Sequence, residues 1–315
     1  MRRLTSLAAS VSLLLAVALP ASTTLARFSD SATSTASIAA DTLNPPTVLV
    51  AVGGSNVTLT WVPSLDAYAT GYAVYRSATS GSGYALVSSV TPGSATTTTD
   101  SPGVGTWYYV LTTTFQSWSS ANSNQASATV SAPTSTAFVT CVGASNAADT
   151  SGAGDNNGYQ SNRARACVND SLFAVDRNSG TGGTQSCGAG ATPDAAKDRH
   201  RWWGFAFGLP GSVSSIAGIR LQTDLKLDAV TGSTNLCAQL SWDGGTTWTT
   251  IKTQAITVAA ETTYTFGSTA DTWGHAWSLT QLNTTNFRLR LIDASTRAGR
   301  DFSLDYVAVS VTYTP

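Results

Sequence analysis

Residues able to do acid–base or nucleophilic chemistry are few in this chain and widely spaced. Of two histidines, His200 lies in Lys197-Asp198-Arg199-His200-Arg201 and His275 in Trp273-Gly274-His275-Ala276-Trp277. Neither belongs to a GxSxG or HExxH pattern. Hydrolysis of a glycoside needs one protonated and one ionised carboxyl flanking the bond. Glu261 is the single glutamate, so such a pair would consist mainly of aspartates, and no spacing signals one. No Gly-rich strand-to-helix phosphate loop occurs either. The expectation is a protein that is not an enzyme.

Binding chemistry is better represented. The loop Asp149-Thr150-Ser151-Gly152-Ala153-Gly154-Asp155-Asn156-Asn157-Gly158 offers Asp149, Asp155 and Asn157 as oxygen ligands for Ca2+, with glycines that let the backbone curl round an ion. It is not an EF-hand, because no glutamate stands at the twelfth position, and an ordinary Gly/Asp turn is the rival reading. A second kind of site is aromatic: indole faces stack on the apolar side of a sugar ring. Trp202, Trp242, Trp273 and Trp277 are the candidates. Alternation points Trp202 away from the face of Trp203 and Trp242 away from the face of Leu240, while Trp273 and Trp277 share a Gly-containing turn. Core packing is the alternative for each, and more so for Trp203 and Trp248.

The element that must position Trp242 is written in Ser241-Trp242-Asp243-Gly244-Gly245-Thr246-Thr247-Trp248. Gly244 and Gly245 supply the positive φ that a tight hairpin needs, the Asp243 carboxylate can accept nearby backbone N–H groups, and Trp248 packs across the turn. This SxDxGxTW stretch resembles the Asp-box of sialidases and related secreted β-proteins. Sialidase propellers repeat the box in each blade, whereas one copy occurs here, so the resemblance implies a fold element and not an active site.

Composition sets the wider frame. The 315 residues are 42% hydrophobic and only 11% charged, with three lysines and one glutamate, so strong charged helix formers are scarce while Ser, Thr, Gly, Val, Tyr and Trp abound. An all-β chain is expected. A net charge of -1 with scattered arginines offers no field for nucleic acid. Arg2 and Arg3 precede an apolar run from Leu7 to Leu19 and then small residues to Ala26, the layout of a signal peptide over residues 1–26, with cleavage after Ala18 or Ala26. No other segment reads as membrane-spanning, so an extracellular or cell-surface bacterial protein is expected. In an exported chain the four cysteines, Cys141, Cys167, Cys187 and Cys237, read as two disulfides, since no CxxC pair suggests zinc. Three pairings are open. Cys141 with Cys167 and Cys187 with Cys237 is favoured, because the first would staple an irregular loop and the second would tie a Gly-rich loop to a strand.

Residues 27–43 form a Ser/Thr/Ala-rich linker whose start, Ala26-Arg27-Phe28-Ser29-Asp30 and then Ala39-Ala40-Asp41-Thr42-Leu43, resembles camelysin-type bacterial surface and matrix-fibre proteins. Residues 44–131 resemble a fibronectin type III module: Pro45-Pro46, the alternating Val57, Leu59 and Trp61, the strand Gly71 to Arg76, and Trp107 to Leu111 with its buried tyrosine. Residues 132–136 are a hinge. Residues 137–315 read as a larger antiparallel sandwich, with Trp203, Phe205 and Phe207 on one face, Ile219, Leu221, Leu225 and Leu227 on one face, a return from Trp248 to Val258 after the box, and strands Tyr264–Phe266, Phe287–Ile292 and Leu304–Tyr313. No fixed-period repeat suggests a propeller. This part is similar to carbohydrate-binding and galactose-binding-like jelly rolls. That resemblance implies a metal site closed by an aspartate on the final strand, here Asp305. The expected function is a non-catalytic surface protein whose spacer presents a jelly roll to an extracellular glycan or surface polymer. The alternative is a structural or fibre-forming component.

Overall fold

The computed structural model describes residues 42–149, 158–179 and 184–315. The signal segment, nearly all of the linker, and Asp155 and Asn157 lie outside these residues. The described chain is all-β. Its only helical element is a single 3-10 turn, Arg163–Ala166.

Alternating apolar residues build the first sandwich. In Val57–Val62, Val57, Leu59 and Trp61 are buried and the residues between them are exposed. One sheet holds Thr47–Val52, Val57–Val62 and Thr97–Asp100; the other is centred on Gly71–Ser77 and Gly105–Phe115, with Ala85–Val90, Ala126–Val130 and Trp118–Ser119 at its margins. Trp61 meets Tyr72 edge-on at 5.3 Å between ring centres, and both lie in a core with Leu49, Val74, Tyr109 and Leu111. Tyr109 is fully buried and its hydroxyl donates a hydrogen bond to Asp100 Oδ2 at 2.8 Å. Burial raises its pKa and the Asp100 acceptor raises it further.

A separate core forms between two further antiparallel sheets. The first has the order Val139–Thr140, Phe302–Thr314, Ser215–Leu227, Thr262–Gly267, with Thr134–Ser135 and Ala174–Asp176 also pairing with Phe302–Thr314. The second has the order Asn146–Ala148, Asp198–Trp202, Arg288–Ser295, Thr234–Ser241, Lys252–Ala255. Ile219, Leu221, Leu225 and Leu227 all face this core, as their spacing predicts. On the partner strand the residues that join this core are Phe302 and Leu304 and then Val307, Val309 and Val311, a change of parity. Its cause is a bulge: Leu225 faces Leu304 and Asp224 faces Tyr306, leaving Asp305 as the extra residue. Each fully buried aliphatic or phenyl side chain contributes roughly 1.5–3 kcal/mol before chain entropy is set against it.

Two expectations need correction. Trp202, expected to face outward, is fully buried, and Trp203 is the half-exposed one. The strand ends at Trp202, and Gly204 at φ 87° breaks the alternation, so that Phe205 and Phe207 turn into the core without Trp203. The return after the Gly-Gly turn is also shorter than expected, with only Lys252–Ala255 pairing as strand.

The cysteines pair as favoured, Cys141 with Cys167 and Cys187 with Cys237, and none is free among the described residues. The second bridge lies on the outer side of its sheet in a small apolar cluster with Ile292 and Ala294.

Candidate functional site

The turn after Thr234–Ser241 is built around two side chains. Ser241 Oγ accepts the Gly245 N–H at 2.9 Å and donates to Asp243 Oδ1 at 2.9 Å, and the same carboxylate oxygen accepts the N–H groups of Thr246 and Thr247 at 3.0 and 2.8 Å. Gly244 and Gly245 have φ of 75° and 95°, and Trp248 Nε1–H closes the loop on the Gly245 carbonyl at 3.0 Å. Desolvation pushes the Asp243 carboxyl up, but the hydrogen bonds from Thr247, Ser241 and Thr246 outweigh it and hold the pKa below the ordinary value. Asp243→Ala is therefore expected to cost about 1 kcal/mol, the usual worth of a capping carboxylate that serves orphan N–H groups, in a urea unfolding curve. No measurable loss would show that the glycines alone fix the turn.

This turn holds Trp242 half-exposed at the margin of the core. His275 lies flat against it, with ring centres 3.8 Å apart and planes 9° apart, and Trp277 stands edge-on to both, 6.2 Å from Trp242 and 4.9 Å from His275. Trp277 is the buried floor, its Nε1–H given to the Thr272 carbonyl at 2.8 Å. Gln281 Oε1 accepts the Ser278 N–H at 2.9 Å and lies 3.2 Å from His275 Nε2. That oxygen can only accept, so the His275 proton sits on Nε2. On its other side Trp277 borders a groove of about 340 Å³ lined also by Ser214, Ser215, Ile216, Ser278 and Thr280. Two of the four candidate tryptophans thus come together, with a histidine between them that the Trp-Gly-His-Ala-Trp spelling carries.

Trp273 corrects a further expectation. It is 3% exposed, below its turn and not on it. Gly267 explains why: at φ 73° it has no Cβ, and one placed there would lie 2.7 Å from Trp273 Nε1. The indole N–H instead reaches the Ile219 carbonyl at 2.8 Å, under Lys252, which pairs with Asp271 at 2.7 Å.

Of the expected calcium ligands, Asp155 and Asn157 lie outside the described residues, and Asp149 and Asp305 lie at different sheets and have different partners. Asp149 is buried and its Oδ2 is held by Arg290 Nη1 at 2.7 Å, so a guanidinium supplies the positive charge there. Asp305 sits in the bulge of the other sheet, where its Oδ1 accepts the Asp170 N–H at 3.2 Å. Desolvation and the charge of Asp305 raise the pKa of its neighbour Glu261. Among the described residues no group of three or more His, Cys, Asp or Glu is placed to hold a metal ion.

One carboxyl pair went unread in the sequence. Asp176 and Asp293 hydrogen-bond to each other, and both are buried, at 0% and 2% exposure. Burial pushes Asp293 up to about 7, against the pull of hydrogen bonds from Asp176 and Tyr159, whose hydroxyl lies 3.4 Å from Asp293 Oδ1. Two carboxyls can share a hydrogen bond only when one keeps a proton. Nearby, His200 is fully buried, accepts the Tyr159 N–H on Nδ1 at 3.3 Å and meets Asn146 Oδ1 through Nε2 at 3.1 Å. Desolvation first, then Arg163 and Arg201, drive its pKa to about 3, so the ring is neutral.

No protein-family model and no curated protein matches the chain. Among solved structures it is similar to an Fn3-like protein from Clostridium thermocellum, at 27% identity and TM-score 0.26, over 29% of this chain and 95% of that one. It is also similar to a beta-1,2-glucanase from Parabacteroides distasonis, at 25% identity and TM-score 0.26, over 29% of this chain and 13% of that one. A third likeness, at 15% identity and TM-score 0.27, is to the CBM22-1-GH10 modules of the Clostridium thermocellum endo-1,4-beta-D-xylanase 10B complexed with xylohexaose, over 57% of this chain and 28% of that one.

Proposed function

We propose that this is an exported, non-catalytic bacterial surface protein in which the first sandwich serves as a spacer. The larger sandwich, read as a jelly roll, binds a neutral extracellular glycan at its Trp242–His275 edge and does not bind nucleic acid. The observation that carries this reading is the half-exposed flat stack of Trp242 on His275, floored by buried Trp277, which also borders a groove with serine and threonine hydroxyls. An apolar ring face with flanking hydroxyls matches the two sides of a sugar. Two disulfides fit an oxidising compartment, and no helix among the described residues is long and apolar enough to cross a membrane.

Trp242→Ala is expected to weaken binding of a neutral oligosaccharide, identified by array on the exported chain, by about tenfold, the worth of one stacked ring. Isothermal titration checks it. Binding that Trp242→Ala leaves unchanged, or an array with no neutral glycan retained, would sink the reading.

A further inference from the structure

The outer face of the sheet that carries Trp242 holds an arrangement of a different chemistry. Register fixes it. Arg201, Arg290 and Gln239 are cross-strand partners, Arg199 faces Ile292 and Cys237 one step along, and Arg288 faces Ser241 one step the other way. Partners in one row share a face, so Arg199, Arg201, Arg288 and Arg290 all project from the side opposite Trp202, Leu289 and Leu291. Four of the chain's fourteen arginines are thus concentrated on one surface of a protein with net charge -1.

The inner pair shares one carboxylate. Arg290 is held by Asp149 and by Gln239 Oε1, lies 4.0 Å from the centre of the Trp248 ring, and is kept charged at neutral pH although burial lowers its pKa to about 10. Arg199 is also close to Asp149, at 3.9 Å. The outer pair is different. Arg201 and Arg288 make no ion pair with any carboxylate among the described residues. Arg201 Nε is buried without a hydrogen-bond partner. Arg288 is fixed over the Trp203 ring at 4.6 Å and gives one Nη1–H to the Thr284 carbonyl at 3.4 Å, which leaves further guanidinium N–H groups for a ligand.

The two converge on the glycine turn. A point one Cβ position off Gly245 lies 3.3 Å from Arg201 Nη1, 3.4 Å from Trp248 Cζ2 and 3.8 Å from Arg288 Cγ. Since Gly245 has no side chain, the Arg201 guanidinium and the Trp248 ring close in beside it, with the aliphatic stem of Arg288 next to them. Two arginines on neighbouring strands with no carboxylate partner among the described residues favour an anion beside them, and a planar guanidinium edge suits a carboxylate.

We infer that Arg201 and Arg288, flanked by Trp203 and Trp248, bind the carboxylate of an acidic sugar in an extracellular polysaccharide. Two arginines match one carboxylate and are too few for a nucleic-acid backbone, whose binding draws on many phosphate contacts. The ring walls suit the apolar flank of a uronate. This site is independent of the Trp242–His275 edge, which lies at the margin of the opposite, core-facing side.

The test is isothermal titration of the exported chain with tetragalacturonate, with neutral cellotetraose as the control. In low salt the wild type is expected to bind tetragalacturonate at least about tenfold more tightly than cellotetraose at this face, and Arg201→Gln and Arg288→Gln each to weaken tetragalacturonate by about tenfold. Arg288→Lys keeps the charge without the fork and falls between. Raising salt to about 300 mM weakens binding, as it must for a partly exposed charge contact. Trp242→Ala leaves tetragalacturonate binding unchanged, which separates this site from the neutral-glycan edge. A folded wild type that does not bind tetragalacturonate in low salt overturns the inference. So does binding that both glutamine variants and Arg288→Lys leave intact, or binding of the tetramer that Trp242→Ala removes.

Discussion

Asp293→Asn is expected to raise the thermal midpoint of this protein at pH 8 and to remove the declining contribution that the Asp293 carboxyl makes to stability between about pH 4 and pH 7. In the folded chain burial has pushed the Asp293 carboxyl up to about 7, whereas in the unfolded chain it titrates near the ordinary 3.8. Between those values the folded state keeps a proton that the unfolded state has released. Its contribution is therefore complete below the unfolded pKa, declines as pH rises through the window, and is level above the folded pKa. Linkage sets the size at on the order of 4 kcal/mol. Asparagine preserves the local geometry: its amide N–H can donate to Asp176 and its oxygen can accept from Tyr159. One neighbour acts in the opposite sense: His200 is held near 3 in the folded chain against 6.5 when unfolded, so it adds stability as pH rises between those values in both proteins, and the difference between the two proteins isolates Asp293. Burial drives Tyr159 well above its ordinary value, outside the window. Urea unfolding of both proteins across pH 4 to 8 decides the matter; equal slopes in the two would mean that the proton is not held at this pair.

How much of this was legible in the sequence differs from residue to residue, for physical reasons. Val57, Leu59 and Trp61 could be read because a two-residue period maps directly onto one buried face. Trp202 and Trp203 could not be told apart, because alternation fixes that they point to opposite sides and not which side is the core. The bulge at Asp305 is silent in sequence, since an extra residue is defined only by its partner strand. The Asp243 turn was legible down to its acceptor, because the contacts are local. By contrast, Trp242 against His275 spans the gap between one turn and a distant loop, and Asp176 against Asp293 joins the two sheets. The Arg199/Arg201 and Arg288/Arg290 alternations are plain in the chain, yet their meeting depends on two strands becoming neighbours.

Replacing Cys187 and Cys237 together by alanine is expected to lower the unfolding free energy by roughly 4 kcal/mol, because the bridge spans 50 residues and its loss restores that loop's freedom to the unfolded chain. The matching change at Cys141 and Cys167 spans 26 residues and should cost roughly 3–4 kcal/mol, since closure entropy grows only with the logarithm of length. The two losses should then differ by less than about 1 kcal/mol if chain entropy governs both. There is a reason to expect a larger gap. Cys187 and Cys237 pack with Ile292 and Ala294 on the arginine-bearing side of the sheet, and the segment they tether also accepts a hydrogen bond from Gln239 at the Ala191 carbonyl, 3.0 Å away. Gln239 in turn holds Arg290. Freeing this segment therefore loosens the side chains beneath the Arg201–Arg288 pair as well as lengthening the unfolded loop. Urea curves for both double variants, fitted with their m-values, separate the two effects: a rise in m alone marks the unfolded chain, and an excess loss at Cys187 and Cys237 marks the native contacts. A loss below about 1 kcal/mol at either bridge would show that it constrains neither state.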